Sequence, residues 1–327
     1  MKISIIGGSG FIGTRLAKRL LQSGHEVKIA DKKESITYPY LRVFADVSVP
    51  ESLEKVLPGS DIVINLAAEH RDDVTPRSLY DEVNVKGAEN VCNACLKLGI
   101  KKIIFTSSVA VYGFAPIGTD ETGKINYFND YGRTKWLAEE KYRAWLKNDP
   151  ENSLTIIRPT VVFGEQNRGN VYNLLRQIAE GRFLMVGKGT NKKSMAYVEN
   201  VAAFIEYCLN NQPGEHLFNY VDKPDFDMNQ LVSEVNQMLG RKKNMIHWPY
   251  WMGYAGGLGF DILAKITGRK YAISSIRVKK FCANTMFESS NIKKTGFIPP
   301  VSIIDGLRNT INYEFINKIK DYEFYTE

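Results

Sequence analysis

Apolar residues follow two different periods along the N-terminal half of the chain. Compact runs at Ile3 to Ile6, His25 to Ala30, Leu41 to Ala45, Asp61 to Leu66, Lys101 to Thr106 and from Leu154 onward are short and read as buried strands. Between them apolar positions recur at helical spacing: Phe11, Ile12, Leu16 and Leu20 after the first run, Tyr80 to Leu98 before the fifth, and Tyr131 through Leu146 after it. Strands alternating with helices predict an α/β fold with a doubly wound parallel sheet, whose ligands bind at the carboxyl ends of the strands. A further helix is expected to open at Arg168 to Val171, and an amphipathic one over Ser302 to Ile319 to close the chain.

The candidate chemistry collects at those strand ends. Gly7, Gly10 and Gly13 break the first strand into a helix with the spacing G-x-x-G-x-x-G. Glycines admit a pyrophosphate close to the backbone, and the first N–H groups of the helix point at its charge. Asp31 ends the second strand, where a carboxylate accepts from both ribose hydroxyls and repels a 2′-phosphate, which implies NAD rather than NADP even with Lys32 and Lys33 beside it. Asp46 and Val47 follow the third strand, placed for an adenine amino group and ring. Small Ala67 and Ala68 follow the fourth, and hydroxyls at Thr106, Ser107 and Ser108 end the fifth. Tyr131 and Lys135, four apart on a helix, project from one face, and an ammonium there is expected to lower the tyrosine pKa toward that of a general base. Ser108 is expected to hold the same substrate oxygen. Asn170, at a helix start, is a reasonable place for a phosphate.

Gly7, Gly10, Gly13, Asp31, Asp46, Asn84, Ser108, Tyr131 and Lys135 fall in the order and spacing of the extended short-chain dehydrogenase/reductases, and the chain resembles the nucleotide-sugar epimerases and dehydratases of that family. The resemblance implies a Rossmann-type NAD-binding domain over residues 1–165, to which parts of 190–225 return, and a smaller interleaved C-terminal substrate domain over 166–327. It implies that Tyr131 is the acid/base, that Lys135 also contacts the nicotinamide ribose, and that Ser108 orients the reacting hydroxyl. Cofactor contacts are expected from Gly7, Gly10, Phe11, Ile12, Gly13, Asp31, Asp46, Val47, Leu66, Ala67, Ala68, Asn84, Tyr131, Lys135 and Pro159. Substrate contacts are expected from Glu69, Ser107, Ser108, Arg158, Asn170, Lys193 and Arg277. Lys193 stands where relatives place an arginine on a nucleotide diphosphate, a point charge in place of a bidentate fork.

Stretches such as Ala67 to Val74, Lys193 to Val198 and Ile276 to Cys282 are closer still to those members that epimerise a polyprenol-linked N-acetylhexosamine at C4 for O-antigen synthesis. Nucleotide-sugar 4-epimerases and 4-keto-sugar reductases share every catalytic residue named. A non-catalytic NAD-binding protein would lack the tyrosine and lysine.

The chain has 327 residues, 44% of them hydrophobic, and a net charge of +7. Four cysteines fit a reduced interior, and no secretory leader or spanning run is read, so a cytoplasmic setting is expected. No metal site is expected: Cys92 and Cys95 lack a second pair, and Glu69-His70-Arg71-Asp72-Asp73 lacks further ligands at metal spacing. Basic residues crowd between Arg241 and Lys294, among them Lys242, Lys243, Lys265, Arg269, Lys270, Arg277, Lys279 and Lys280, against only Asp261 and Glu288. With the aromatic stretch His247 to Tyr271 they fit either a helix pair of the substrate domain or a segment lying in a bilayer interface. The expected partner is a small-molecule or lipid-linked diphospho-sugar, with room for peripheral contact with the inner membrane and for a homodimer. No nucleic-acid reading motif interrupts this picture.

Overall fold

The computed structural model describes residues 1–327 except 72–73, 242–245, 269–273, 320 and 326–327. Asp72, Asp73, Lys242, Lys243, Arg269, Lys270 and Tyr271 of the clusters named above therefore lie outside the described residues. In chain order the first part runs β1 (Lys2–Ile6), α1 (Phe11–Gln22), β2 (Glu26–Asp31), β3 (Arg42–Phe44), α2 (Pro50–Val56), β4 (Ile62–Asn65), α3 (Ser78–Tyr80), α4 (Gly87–Leu98), β5 (Lys102–Thr106), α5 (Asp130–Leu146) and β6 (Ser153–Pro159). The second part runs β7 (Val161–Phe163), α6 (Asn170–Ala179), β8 (Met185–Val186), β9 (Lys192–Tyr197), α7 (Val198–Tyr207), β10 (Gly214–Tyr220), β11 (Asp222–Asp227), α8 (Met228–Met238), β12 (His247–Trp248), α9 (Tyr250–Thr267), α10 (Ser275–Cys282) and α11 (Ile303–Ile311).

A seven-stranded parallel sheet in the order β10-β6-β5-β4-β1-β2-β3 carries the fold, and its order reverses at β1, opening the crevice between β1 and β4. Both faces are covered by helices, which is why β4 and β6 are buried at every position. Helix α1 buries Leu16, Ala17 and Leu20 against one face, while α4 and α5 bury Val91, Cys95, Ala138 and Tyr142 against the other. Cys92 and Cys95 are core residues whose thiols burial pushes up, Cys95 to about 12. Strands β7, β9 and β11 form a small mixed sheet, and α6, α8 and α11 close a second core around Phe163, Tyr197, Leu231 and Leu307. The chain threads back into the large sheet through α7 and β10 before leaving it again.

The expected Tyr80 to Leu98 helix is interrupted by a π-helical segment, Asp81–Lys86, and the closing helix ends in another at Asn312–Ile316. The first displaces Asn84 from the regular spiral so that it reaches across to neighbouring elements. Strand β10 carries Glu215 and His216 in its half-buried first half, and so lacks the apolar run that marks the central strands. Among the described residues no helix is long and apolar enough to cross a membrane.

Candidate active site

The crevice between β1 and β4 begins at Gly7, whose φ of +76° is open to glycine at little cost. A Cβ there would stand 2.7 Å from the Ala67 amide nitrogen, and one on Gly13 would stand 2.6 Å from the Gly8 Cα. The loops after β1 and β4 and the first turn of α1 are thus in backbone contact. Helix α1 has Gly10 at its N-cap, no capping side chain and no acidic residue in its first turn, so its leading N–H groups remain available to an anion. Phe11 and Ile12 offer those backbone groups while the Phe11 ring packs 5.8 Å from that of Phe324. Asp31 accepts from the Ser9 N–H at 2.9 Å and the Lys33 N–H at 2.9 Å, which fixes its carboxylate beside the turn with lone pairs to spare for hydroxyls. Asp46 is pressed upward by burial, but its bonds from the Ser48 hydroxyl and N–H and the nearby Lys32 ammonium hold its carboxyl below the usual range.

At the end of β5, Ser108 adopts an extended backbone and its Oγ accepts from the Ala110 N–H at 3.1 Å. Ser108 stands close enough to the Tyr131 phenol for its hydroxyl to favour the phenolate by hydrogen bonding. Asn129 caps α5 by accepting from the Gly132 N–H at 2.9 Å, which fixes the first turn and with it Tyr131. Lys135, one turn on, is only 2% exposed, and its ammonium lies 4.5 Å from the centroid of the Phe105 ring. Among the described residues no acceptor bonds it. Burial lowers its pKa to about 7, against which Glu139, a further turn along the same helix, holds the charge in place. Burial raises the Tyr131 phenol to about 12, opposed by the Ser108 hydrogen bond. The expected downward shift from Lys135 is therefore corrected. Desolvation is the larger influence on this phenol, and the hydrogen bond from Ser108 opposes it.

Residues 3–220 match the family model described as the NAD dependent epimerase/dehydratase family. The chain belongs to that family. It is 54% identical over 98% of its length to the N-acetyl-α-D-glucosaminyl-diphospho-ditrans,octacis-undecaprenol 4-epimerase of Escherichia coli O157:H7, covering 97% of that protein. It is 28% identical to a UDP-glucose 4-epimerase of Vibrio cholerae, over 94% of each chain. Among solved structures it superposes on the Thermus thermophilus UDP-glucose 4-epimerase complex with NAD with a TM-score of 0.75 at 20% identity, covering 98% of this chain and all of the other, a likeness of fold.

The cofactor of the epimerase/dehydratase family is NAD, and the residues present fit it. The glycine turn is too tight for any Cβ, α1 leaves its N-terminus open, Asp31 stands at the end of β2, and the buried Lys135 ammonium lacks an acceptor among the described residues. Leu66, Ala67 and Ala68 form the half-buried wall opposite the turn, with the Ala67 N–H donating to the Asn65 side chain at 3.0 Å. Pro159 ends β6, buried beside Tyr220.

Several residues expected to contact cofactor or substrate are engaged by other parts of the protein. Arg158 is 2% exposed and forks onto Glu139, Nε to Oε1 at 2.8 Å and Nη2 to Oε2 at 2.6 Å, while its Nη1 donates to the Tyr112 hydroxyl at 2.6 Å. A guanidinium buried this far needs a carboxylate, and Glu139 supplies it. Ser107 also donates to Glu139, at 2.6 Å. Asn84 accepts from the Glu69 N–H, donates to its carbonyl and donates to the Thr134 hydroxyl, and so ties the loop after β4 to α5. Glu69 itself turns its carboxylate to Arg71 at 3.5 Å. Val47 is sealed against Gly87 within the core. Lys193 donates to the carbonyls of Lys280 at 3.0 Å and Ala283 at 2.7 Å, so it caps the C-terminus of α10, and burial lowers its pKa to about 8. Asn170 and Arg277 are exposed on the first turns of α6 and α10.

The residue that sequence reasoning passed over is Glu139. Its signal was present, since Tyr131, Lys135 and Glu139 form one i, i+4, i+8 stripe on α5. Reading it as more than surface charge requires knowing that this stripe faces Ser107 and Arg158.

Proposed function

We infer that the protein is an NAD-dependent sugar 4-epimerase that interconverts the N-acetylglucosaminyl and N-acetylgalactosaminyl forms of diphospho-undecaprenol for surface-polysaccharide synthesis. The observation that carries the chemistry is the convergence of Ser108, Tyr131 and Lys135 beside a crevice built for NAD. The lipid-linked substrate rests on the likeness to the Escherichia coli enzyme, which runs on through the C-terminal third, beyond the residues all such epimerases share. An undecaprenyl chain stays in its bilayer, so the enzyme works in peripheral contact with the cytoplasmic face of the inner membrane.

NAD, when bound, supplies the acceptor that takes a hydride from C4 and returns it. The chain's own side chains do the rest. Ser108, fixed by the Ala110 N–H, holds the 4-hydroxyl against the Tyr131 oxygen. Tyr131 removes the hydroxyl proton, and the Lys135 ammonium and the Ser108 hydrogen bond stabilise the phenolate against the cost of burial. Glu139 keeps Lys135 charged while it does so. After the 4-keto sugar turns its other face to the cofactor, Tyr131 returns the proton to the oxygen. Nothing is oxidised overall, so cofactor is not consumed.

Purified protein offered UDP-N-acetylglucosamine and the undecaprenyl-linked sugar in parallel should epimerise the lipid-linked sugar. Conversion of the UDP sugar alone would overturn the substrate assignment, and steady consumption of reduced cofactor would make the enzyme a reductase.

A further inference from the structure

An ordinary surface helix turns its large apolar side chains inward. Helix α9 does the reverse. Its inner stripe is Gly253, Gly257 and Asp261: a Cβ on Gly253 would come 2.5 Å from Val186, one on Gly257 would come 2.7 Å from the Ser275 nitrogen, and Asp261 accepts from the Ser275 N–H at 3.1 Å. These small residues let α9 lie close against β8 and α10. Its outer stripe is Trp251, Tyr254, Leu258, Ile262 and Ile266, at steps of three and four residues, and all are exposed, Trp251 by 70% and Ile266 by 76%. Of the 18 residues in α9 only Gly257 is buried.

We propose that α9 is a membrane-docking helix that lies in the plane of an anionic bilayer, with the Trp251 to Ile266 stripe inserted at headgroup depth. The proposal rests on the lipid-linked substrate inferred above and names the element that meets the lipid. Two features favour a bilayer over a protein partner. The exposed face mixes aromatic and aliphatic residues, Trp251 and Tyr254 with Leu258, Ile262 and Ile266, and Trp248 and Tyr250 are exposed beside it, the composition of helices that lie at a bilayer interface. The neighbouring helix is basic, with Arg277, Lys279 and Lys280 on α10 and Lys265 on α9 itself, while Asp261, the acidic residue of the pair, is turned inward. Such a patch is drawn to anionic headgroups.

The hairpin is also joined to the catalytic segments. The Lys279 ammonium lies 5.5 Å from the Phe114 ring centroid and that of Lys280 lies 5.0 Å from Phe128, two rings that pack 4.8 Å apart. Phe114 follows the turn that carries Ser108, and Phe128 immediately precedes the Asn129 cap of the helix that carries Tyr131. A bilayer met by α9 is therefore met beside the mouth of the site, where a diphosphate standing out of the headgroup layer would enter.

The test compares wild-type holoenzyme with a Trp251→Ser, Ile262→Ser, Ile266→Ser variant. Binding is measured by flotation with vesicles of phosphatidylglycerol and phosphatidylcholine and with phosphatidylcholine alone. Turnover is measured on vesicle-embedded substrate and on a short-chain, water-soluble prenyl diphospho-sugar, and thermal unfolding confirms that the exposed substitutions leave the fold intact. Wild type should float with the anionic vesicles, with tryptophan emission quenched by brominated lipid. The variant should lose at least about tenfold in binding and in turnover on the embedded substrate, and keep its turnover on the soluble one. Undiminished flotation of the variant overturns the proposal. So does a wild-type dimer that binds no vesicle and that the substitutions dissolve into monomers, which would give the face to a second copy of the chain. Because flotation needs no substrate, vesicle binding by an enzyme that epimerises neither prenyl sugar would defeat the substrate assignment and leave the docking helix standing.

Discussion

At Tyr131 two influences oppose each other, and which one wins decides whether the residue can act as a base. Burial, against the hydrogen bond from Ser108, holds the phenol at about 12 and neutral, so a phenolate must form as the substrate hydroxyl arrives, beside the Lys135 ammonium one turn along the helix. Tyr131→Phe should accordingly lower kcat by roughly 10²- to 10⁴-fold while the protein purifies with the same NAD content, as read by absorbance after denaturation. Another buried acid offers a test of the electrostatics apart from turnover. Asp222 accepts from the Tyr197 N–H at 2.7 Å and the Tyr220 hydroxyl at 3.1 Å, yet burial raises its pKa to about 6 from the ordinary 3.8. The folded state therefore holds this proton more tightly than the unfolded chain does. Its contribution to stability is complete below the unfolded value and is lost as pH rises through about 6. Against Asp222→Asn, wild type should lose relative stability in urea between pH 4 and 6 and then run parallel to the variant. A gap that does not change with pH would remove burial as the cause. Tyr131 and Lys135 were legible in the sequence because one helical turn relates them, and Ser108 because it follows a strand whose carboxyl end the alternation of elements already marks. The roles of Arg158 and Ser107 were not, because both depend on Glu139, which the fold brings in from a different element.

Among the elements that build the cofactor crevice, the turn between β1 and α1 tolerates little change. Gly7→Ala would need a positive φ that alanine resists and would drive a methyl into the Ala67 backbone, so NAD content should fall to near background even if the protein remains folded. The Glu139 network beneath α5 should behave differently. Arg158→Met leaves a buried carboxylate with only Arg143 at 3.1 Å and Ser107 to satisfy it, and should cost about 3 kcal/mol in denaturant unfolding. The glycine spacing was readable because only glycine fits such a turn, and the central strands because parallel sheets bury continuous apolar runs. The π segment that projects Asn84 left no mark in the apolar period, and β10 was hidden by the polar residues of a half-buried edge strand.

Over the whole molecule, one sheet gathers at its carboxyl edge groups drawn from distant parts of the chain: the turn at Gly7, Asp31, Ser108, and the stripe on α5. The alternation of strands and helices was enough to predict that edge. The direction in which the C-terminal helices face was not, because an aromatic stretch with scattered glycines fits a buried pair as well as an exposed one. The packing of Gly253 and Gly257 against the body is what turns the large side chains of α9 outward. In the proposed reaction a hydride leaves C4 and comes back to the same carbon while Tyr131 handles only the oxygen-bound proton. The most direct measurement supplies the holoenzyme, with no added cofactor, with N-acetylglucosaminyl-diphospho-undecaprenol carrying deuterium at C4. It then follows the label through many turnovers by mass spectrometry. The predicted result is an N-acetylgalactosaminyl product that retains deuterium at C4. Loss of the label to water, as deprotonation at carbon would cause, would contradict it.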